Sequence, residues 1–395
     1  MRVTNASTYR NFTTSVNSVH LALNKSMNKI SSGELYESAA ENPLAYYEGK
    51  RLDNQYQDFE TKKTLLKDVQ NRVYQQELGV RNIQSLLSEA KNNVQYANTA
   101  TTTDTALDTT KSALLQEMHE IVNTLNTQYE NFYVYGGNDV STPPFSLSED
   151  GSVLTYRHKF SGDDEPTEFQ MELSQDADGS YGYKLLAKDK DGNPPANPAD
   201  NVLGTMEDLV KAMSEQGRVD IGYGSIQDKT TLLDTYTGGM NVLTGITSDA
   251  IRTWKKDANG IYTDSEGNDV MHYLNSSPLA LIGRSVQAIG KYLESGKTDR
   301  GEMNQVLSNT ITDMTVTEHS LSSFYADLGN KYRLIDDMDD RLGDLMNSLK
   351  VQYKDKLGAD PYESIMEMYN NNYAYNAALQ VGSKLMGSSL FDFVG

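Results

Sequence analysis

Two long stretches without proline place the strongest constraint on how this sequence can fold. The nine prolines leave residues 44–142 and 279–360 free of proline. Long helices can run there, because a proline ring would remove a hydrogen-bond donor and clash with the preceding turn. In both stretches apolar residues recur every seven positions, which predicts a coiled coil. The first repeat comprises Ala45, Leu52, Phe59, Leu66, Val73, Val80, Leu87 and Val94, and the second comprises Leu307, Met314, Leu321, Leu328, Ile335, Leu342 and Leu349.

The two repeats also predict the fold class. Each stretch can form a helix of roughly 50 residues, and two apolar seams of matched length at opposite ends of one chain are expected to pack on each other. We therefore predict a mainly α protein in which the N- and C-terminal arms form long antiparallel coiled-coil helices. The predicted intrachain seam consists of Leu52, Phe59, Leu66, Val73, Val80, Leu87, Leu307, Leu321, Leu328, Ile335 and Leu342.

The middle of the chain has a different character. Runs such as SVLTYRHKF and TEFQMELS have the composition of strands and lie between turn-rich segments, which predicts a β meander. A stripe of apolar residues from Leu107 to Phe132 predicts one more helix before it. We therefore expect a strand-rich α+β insert domain between the arms. The predicted domains are an N-terminal assembly segment (1–43), an N-terminal helical arm (44–145), a surface-exposed insert (146–275), a C-terminal helical arm (276–360) and a C-terminal assembly segment (361–395).

The composition excludes several classes of partner and chemistry. Lys and Arg number 35 against 55 Asp and Glu, which gives a net charge of −20. Nucleic acids and anionic membranes both need a basic surface, so neither is an expected partner. The absence of cysteine excludes disulfides, thiol catalysis and zinc–thiolate sites. We also expect no cleaved secretion signal and no membrane span, because no segment has the apolar length that either requires.

The sequence contains no convincing active site or metal site. None of the five histidines lies within four residues of another, so the usual zinc-ligand spacings are missing. Residues 255–266 match several positions of a calcium-binding loop, but Lys255 stands where a carboxylate is required. We therefore predict no enzyme activity, cofactor or metal. A catalytic or calcium-binding insert is kept as an alternative.

Two segments resemble the flagellin family. The stretch SMNKISSGELYESAAENPLAYYEGKRL at 26–52 is similar to the N-terminal flagellin signature, in which a Ser-Ser-Gly turn precedes a proline that opens the long helix. The stretch NFYVYGGNDVSTPPFSL at 131–147 resembles a Gly-Gly…Thr-Pro-Pro-Phe motif of the hook-associated junction proteins in that family. Glu41 is a departure, since the family commonly has aspartate there. The motif residues are Ser31, Ser32, Gly33, Asn42, Pro43, Gly136, Gly137, Pro143, Pro144 and Phe145.

The resemblance implies a function, a location and a set of partners. It implies an extracellular structural protein of the bacterial flagellum, exported by the type III apparatus, that joins the hook to the filament. The implied partners are further copies of the chain in a ring, a hook-side junction protein, flagellin, and an export chaperone on the C-terminal arm. A filament-forming flagellin is the alternative within the same family.

The terminal segments carry apolar stripes that a thin core leaves uncovered. We predict as a hypothesis that these stripes are buried only between subunits, since neighbouring copies would have to cover them. The residues of this predicted subunit interface are Val16, Val19, Leu23, Met27, Ile30, Leu379, Met386, Leu390 and Phe393.

Overall fold

The computed structural model describes residues 5–99, 101–175, 181–215, 217–220, 232–234, 237–258, 260–296, 298 and 300–394. Ten helices fall in these residues: α1 Asn5–Ser32, α2 Pro43–Ala97, α3 Asp104–Leu125, α4 Met206–Ser214, α5 Gly239–Thr244, α6 Ser248–Ile251, α7 Val270–Leu274, α8 Pro278–Glu294, α9 Arg300–Leu357 and α10 Pro361–Val394. The strands are β1 Gln128–Tyr129, β2 Phe132–Tyr133, β3 Phe145–Leu147, β4 Val153–His158, β5 Thr167–Gln175, β6 Tyr181–Leu185, β7 Arg218–Asp220, β8 Leu232–Asp234, β9 Lys255–Lys256 and β10 Tyr262–Thr263.

The chain forms two compact units. The terminal unit contains residues 1–64 and 339–395, and the central unit contains residues 65–338. The two longest helices, α2 and α9, contribute to both units. No helix within the described residues combines the length and apolarity needed to cross a lipid bilayer. The domain boundaries drawn from the sequence stay predictions.

In the terminal unit, α1 lies antiparallel to α10. The imidazole of His20 stacks on the ring of Tyr375 with 5.4 Å between centroids, and Lys29 pairs with Glu367 at 3.0 Å. The start of α2 lies antiparallel to the end of α9, where Lys356 pairs with Glu48 at 2.9 Å. Both ion pairs are partly exposed to solvent and add little stability. Buried apolar side chains such as Leu23, Leu52 and Leu357 form the core of this unit.

In the central unit, the second part of α2 runs antiparallel to the first part of α9. The amide of Gln84 donates to the hydroxyl of Ser322 at 2.7 Å, and the amide of Gln70 donates to Asp336 at 2.7 Å. As residue numbers increase along α2, the numbers of their partners in α9 decrease, so the two helices are antiparallel. The predicted antiparallel pairing of the two arms is confirmed, and with it the mainly α fold class.

The predicted β meander is a four-stranded antiparallel sheet in the order β3-β4-β5-β6. Phe145, Tyr156 and Phe169 occupy neighbouring strands on one face, with ring centroids 5.1 Å apart for the first pair and 5.6 Å for the second. All three side chains are buried. This aromatic cluster forms the core of the sheet, because opposite positions on adjacent strands bring large side chains into contact.

The predicted helix through Phe132 is shorter than expected. Helix α3 ends at Leu125, where the backbone N–H of Asn126 donates to the carbonyls of Val122 and Asn123. The chain then turns through Glu130, whose φ of 54° is left-handed, and forms the β1–β2 hairpin that contains Phe132. The prediction extended the helix too far, because the apolar periodicity of the sequence does not indicate a turn of this kind.

Candidate assembly surface and junction motif

The Ser-Ser-Gly turn ends α1 and is bonded to the end of α9. Gly33 has φ 72°, a left-handed conformation that favours glycine. Its carbonyl accepts from Ala359 N at 2.9 Å, and Leu35 N donates to the carbonyl of Leu357 at 2.6 Å. The hydroxyl of Tyr353 also donates to the carboxylate of Glu34 at 2.6 Å. Two connections of the terminal unit, α1–α2 and α9–α10, are thereby held side by side.

The proline of the same motif begins α2. The side-chain oxygen of Asn42 accepts from Ala45 N at 3.2 Å, which satisfies one of the free N–H groups at a helix start. Pro43 is the first residue of α2, where the missing N–H of proline costs nothing. The neighbouring Glu41 pairs with Lys25 of α1 at 2.7 Å, and a hydrogen bond from Lys25 lowers the pKa of this carboxyl.

The predicted subunit-interface residues fall into different environments. Val16 and Val19 are half-buried, while Met27, Ile30 and Leu379 are exposed. The prediction that these residues are buried only between subunits is wrong for Leu23. Helix α10 packs on α1 and leaves Leu23 only 8% exposed within the single chain. The side chains of three further predicted residues lie outside the part of the chain that the structure describes: Met386, Leu390 and Phe393.

One side of α10 carries large exposed side chains, and the spacing of its tyrosines in the sequence already favours packing between subunits. Tyr362, Met366, Tyr369 and Tyr373 follow each other at intervals of three or four residues, and such spacing places them on one side of a helix. Between 45% and 79% of each side chain is exposed. By contrast, Ser364 is buried and Asn371 donates to the carbonyl of Ala22 in α1. We call Tyr362, Met366, Tyr369 and Tyr373 the tyrosine stripe.

The predicted coiled-coil seam lies in the interior. Every predicted seam residue is buried except Phe59, which is half-buried. Val94 and Met314, from the same repeats, are also buried. Burial of these positions agrees with the heptad pattern, and their pairing across one intrachain seam stays a prediction.

The Gly-Gly motif packs directly on α2. The hydroxyl of Tyr135 donates to the carbonyl of Gln76 at 2.7 Å, and the buried amide of Gln76 donates to the carbonyls of Val134 at 3.0 Å and Thr237 at 3.4 Å. Gly136 forms a bridge with Gly238. A Cβ atom at Gly136 would lie 1.9 Å from the carbonyl oxygen of Asp139, so the backbone fold excludes any side chain at this position.

The end of the motif is fixed by a buried carboxylate. Asp139 accepts hydrogen bonds from Ser141 N at 3.1 Å and Lys159 N at 2.9 Å. Burial acts to raise the pKa of Asp139, but hydrogen bonds from Thr142, Ser141 and Lys159 outweigh it and lower the pKa. The carboxylate thus links the motif to the residue after β4 through these hydrogen bonds. The remaining motif residues then follow, with Gly137 buried, Pro143 exposed, and Pro144 and Phe145 buried.

In the calcium-like loop at 255–266 and in a second Asp–Gly loop that begins at Asp189, the aspartate carboxylates accept hydrogen bonds from their own backbone. Asp189, Asp257 and Asp264 each use one carboxylate oxygen to accept the N–H four residues ahead, and a glycine with φ between 83° and 89° stands three residues after each. These are Asx turns. The described residues contain no group of three or more His, Asp or Glu side chains that could hold a metal ion. Asn259 of the calcium-like pattern lies outside the described residues.

Similarity to known proteins agrees with this arrangement of the N-terminal arm. Residues 3–139 match the family model described as the bacterial flagellin N-terminal helical region. The N-terminal part of the chain is thus similar to the flagellin family over these residues. The flagellin-type arm therefore comprises α1, α2, α3 and the chain up to the buried Gly-Gly motif.

A comparison with solved structures finds flagellar proteins at low identity and low structural similarity. A provisionally assigned flagellar hook-associated protein from Vibrio parahaemolyticus is 12% identical with a TM-score of 0.48, over 80% of this chain and 100% of that one. Hook-associated protein 3 from Legionella pneumophila is 10% identical with a TM-score of 0.41, over 78% and 98%. FlgL from Xanthomonas campestris is 11% identical with a TM-score of 0.39, over 78% and 99%. Likeness of this degree does not by itself specify function. No curated protein sequence matches at a significant level.

Sequence reasoning missed the residues that hold the junction motif in place. Gln76 lies between the seam positions Val73 and Val80, and a polar residue there gives no periodic signal. Arg72 places its guanidinium 4.8 Å from the centre of the Phe132 ring and donates to the carbonyl of Gly137 at 3.3 Å. The sequence does place two polar residues, Arg72 and Gln76, four positions apart beside the apolar seam. A coiled coil alone does not need such residues, so they could have indicated a further contact.

Proposed function

We propose that this protein is a structural component of the bacterial flagellum in the role of hook-associated protein 3, forming the junction between hook and filament. The carrying observation is the flagellin-type arm at residues 3–139, which ends in the buried Gly-Gly motif. The Thr-Pro-Pro-Phe part follows at once, with Phe145 in the aromatic core of the sheet. Its resemblance to the hook-associated branch of the family favours the junction role over a filament-forming flagellin.

The assembly surface of this proposal is the terminal unit. Large exposed apolar residues rarely cluster on a monomer without marking an interaction site, and here they include the tyrosine stripe, Met27, Ile30 and Leu379. Tyrosine is also enriched in protein interfaces, because its ring buries apolar area while its hydroxyl finds a hydrogen-bond partner. We infer that these residues are covered by further copies of the chain in a ring, by a hook-side junction protein and by flagellin.

The role is structural and extracellular in this proposal. The charge, the absence of cysteine and the Asx turns give no support to catalysis. Export would proceed through the flagellar type III route, with a chaperone on the C-terminal arm before assembly. The predicted interface residues Met386, Leu390 and Phe393 remain part of the proposal, since α10 continues through them.

Deleting the gene in its source organism tests the junction role. Cells are imaged by electron microscopy and the culture medium is assayed for flagellin. We expect hooks without filaments and flagellin released into the medium, because subunits would reach the hook tip and find no surface to polymerise on. Filaments of normal length and number would contradict the junction role and favour a minor filament protein.

Complementation of the deletion strain tests the assembly surface. We expect Tyr369→Asp and Leu379→Asp to reduce filament number by about tenfold or more, since a charge buried in an interface without a partner costs several kcal/mol. Ala374→Asp is the matched control, because it adds the same charge at an exposed position of α10 that is not three or four residues from any member of the tyrosine stripe. Equal filament numbers for all three variants would contradict the surface. Helical content and export level are measured for each variant, so that loss of folding or secretion is separated from loss of assembly.

A further inference from the structure

An open groove of about 640 Å³ lies on the central unit, beside the β9–β10 hairpin. Helix α6 and the residues flanking it form one wall, and the turn that follows β10 forms the other. Nothing in the proposed junction role uses this groove. It is large enough for a ligand of small-molecule size, since ligand pockets typically measure about 300–1,000 Å³.

The groove is lined by an aromatic pair. The rings of Trp254 and Tyr273 lie 5.9 Å apart between centroids and are tilted by 36°. Trp254 is the only tryptophan of the chain. Its side chain is 9% exposed, and the exposed part borders the groove. Aromatic rings of this kind offer an apolar surface to the hydrocarbon part of a ligand.

An oriented carboxylate borders the same space. Asp264 accepts hydrogen bonds from the hydroxyl of Tyr273 at 2.5 Å, from Glu266 N at 2.8 Å and from Asn268 N at 2.9 Å. Chiefly because of the hydrogen bond from Tyr273, the pKa of this carboxyl is lowered to about 2. The side-chain amide of Asn268 donates a fourth bond at 3.3 Å, so both oxygens of Asp264 are fully engaged, and the ionised carboxylate fixes the Tyr273 hydroxyl at the groove before any ligand arrives, which lowers the entropy lost on binding.

The rim carries both signs of charge together with hydroxyl groups. Glu266 and Lys255 are both exposed at the groove, and the threonines Thr247, Thr253 and Thr263 line it. A phosphate would need a basic site, which the two carboxylates oppose. Lys255 lies beside the two carboxylates, so the rim does not present a uniformly negative surface to a cation either. Mixed donors and acceptors beside an aromatic pair instead suit a neutral ligand that carries several hydroxyl groups and one apolar face.

From this combination we propose that the groove between α6 and the turn after β10 binds a neutral carbohydrate. The apolar face of one sugar ring lies against Tyr273 and the uncovered edge of Trp254, while its hydroxyls donate to Glu266 and accept from Lys255. The proposal is independent of the junction role, because it concerns a surface of the central unit that the assembly argument does not use.

The test measures direct binding to the full-length protein. Saturation-transfer NMR is recorded with the methyl β-glycosides of glucose, galactose and N-acetylglucosamine at about 10 mM each, the range suited to weak sites. Choline and inorganic phosphate serve as comparison probes. We expect transfer to the ring protons of at least one glycoside and a change in Trp254 fluorescence with the same midpoint. Transfer to no glycoside, or to choline or phosphate alone, would overturn the proposal.

Two variants assign the binding to the groove. Ala250→Tyr fills it from the exposed side of α6, and Glu266→Lys replaces an acceptor on the opposite rim. Each is expected to weaken binding by about tenfold or more. Asp191→Lys is the matched control, because Asp191 stands at the same position of the Asx turn begun by Asp189, and its N–H donates to that carboxylate at 3.0 Å. Unchanged binding in both groove variants, or equal loss in the control, would place the sugar elsewhere and overturn the assignment. Circular dichroism and thermal melting establish that each variant is folded.

Discussion

A half-buried carboxyl on α3 makes the stability of the central unit depend on pH. The amide of Asn93 in α2 donates to one carboxylate oxygen of Glu117 at 2.7 Å, whereas the other oxygen is buried without a hydrogen-bond partner. Burial, and to a smaller extent the charge of Glu89, raises the pKa of Glu117 from 4.5 to about 7, although the bond from Asn93 opposes the shift. The informative change is Glu117→Gln, which keeps the size and a hydrogen-bonding group but cannot ionise.

The size and sign of the effect follow from the two pKa values. Below pH 4.5 the carboxyl of Glu117 is protonated in both the folded and the unfolded chain, and ionisation costs nothing. Above pH 7 it is ionised in both, and the folded state carries the full penalty of a poorly solvated charge. The difference in pKa corresponds to at most about 3 kcal/mol, and partial exposure reduces this to about 1–2 kcal/mol. The unfolding free energy of the wild type should therefore fall between pH 4.5 and 7, relative to the variant.

Urea unfolding at several pH values measures this difference. Trp254 belongs to the same unit as Glu117, so its fluorescence follows the unit that the substitution affects. We expect Glu117→Gln to match the wild type at pH 4.5 and to exceed it by about 1–2 kcal/mol at pH 8. Glu120→Gln, at an exposed position of α3, is the control and should show no such change between the two pH values. The reasoning is refuted if Glu117→Gln is less stable than the wild type at pH 8, or differs from it equally at both pH values.

Two glycines of the family motifs lead to further predictions. Gly136→Ala should lower the unfolding free energy of the central unit by about 2–4 kcal/mol, because its Cβ would meet the carbonyl of Asp139 at 1.9 Å. Denaturant unfolding followed by Trp254 fluorescence measures this, and a loss below about 0.5 kcal/mol would contradict it. Gly33→Ala meets no atom within 4 Å, so only its φ of 72° opposes the change, and we expect a loss of about 1 kcal/mol in the terminal unit. That loss should appear in thermal unfolding followed by circular dichroism at 222 nm, and a Gly33→Asn variant should recover part of it, since asparagine tolerates this conformation. No difference between the two variants would refute a conformational cause.

Much of the fold could be predicted because its information is local or periodic. The seven-residue repeats located α2 and α9, and the absence of proline set their extent. Ser277 accepts from Ala280 N at 3.2 Å and Pro278 begins α8. Thr205 and Asp208, three residues apart, form a capping box at the start of α4. These features depend on residues within a few positions of each other, so the sequence contains the whole physical cause.

The candidate sites depended on contacts that sequence spacing does not encode. The burial of Leu23 is set by α10, more than 300 positions away in the chain, and a stripe of apolar residues does not state which neighbour covers it. In the same way Gln76 bonds to Val134 and Thr237, and Trp254, just before β9, meets Tyr273 of α7.

The sequence by itself therefore determined which segments are helices, which side of each long helix is apolar, and that no cysteine or metal chemistry is expected. Only the tertiary structure decided that the carboxylates of the Asp-Gly loops bind their own backbone. It also separated the apolar residues of the termini that are already covered within the chain, such as Leu23, from those that stay exposed, such as Tyr369 and Leu379. The physical reason is that periodicity fixes the direction of a side chain relative to its own helix, whereas burial depends on which other element occupies the space in that direction.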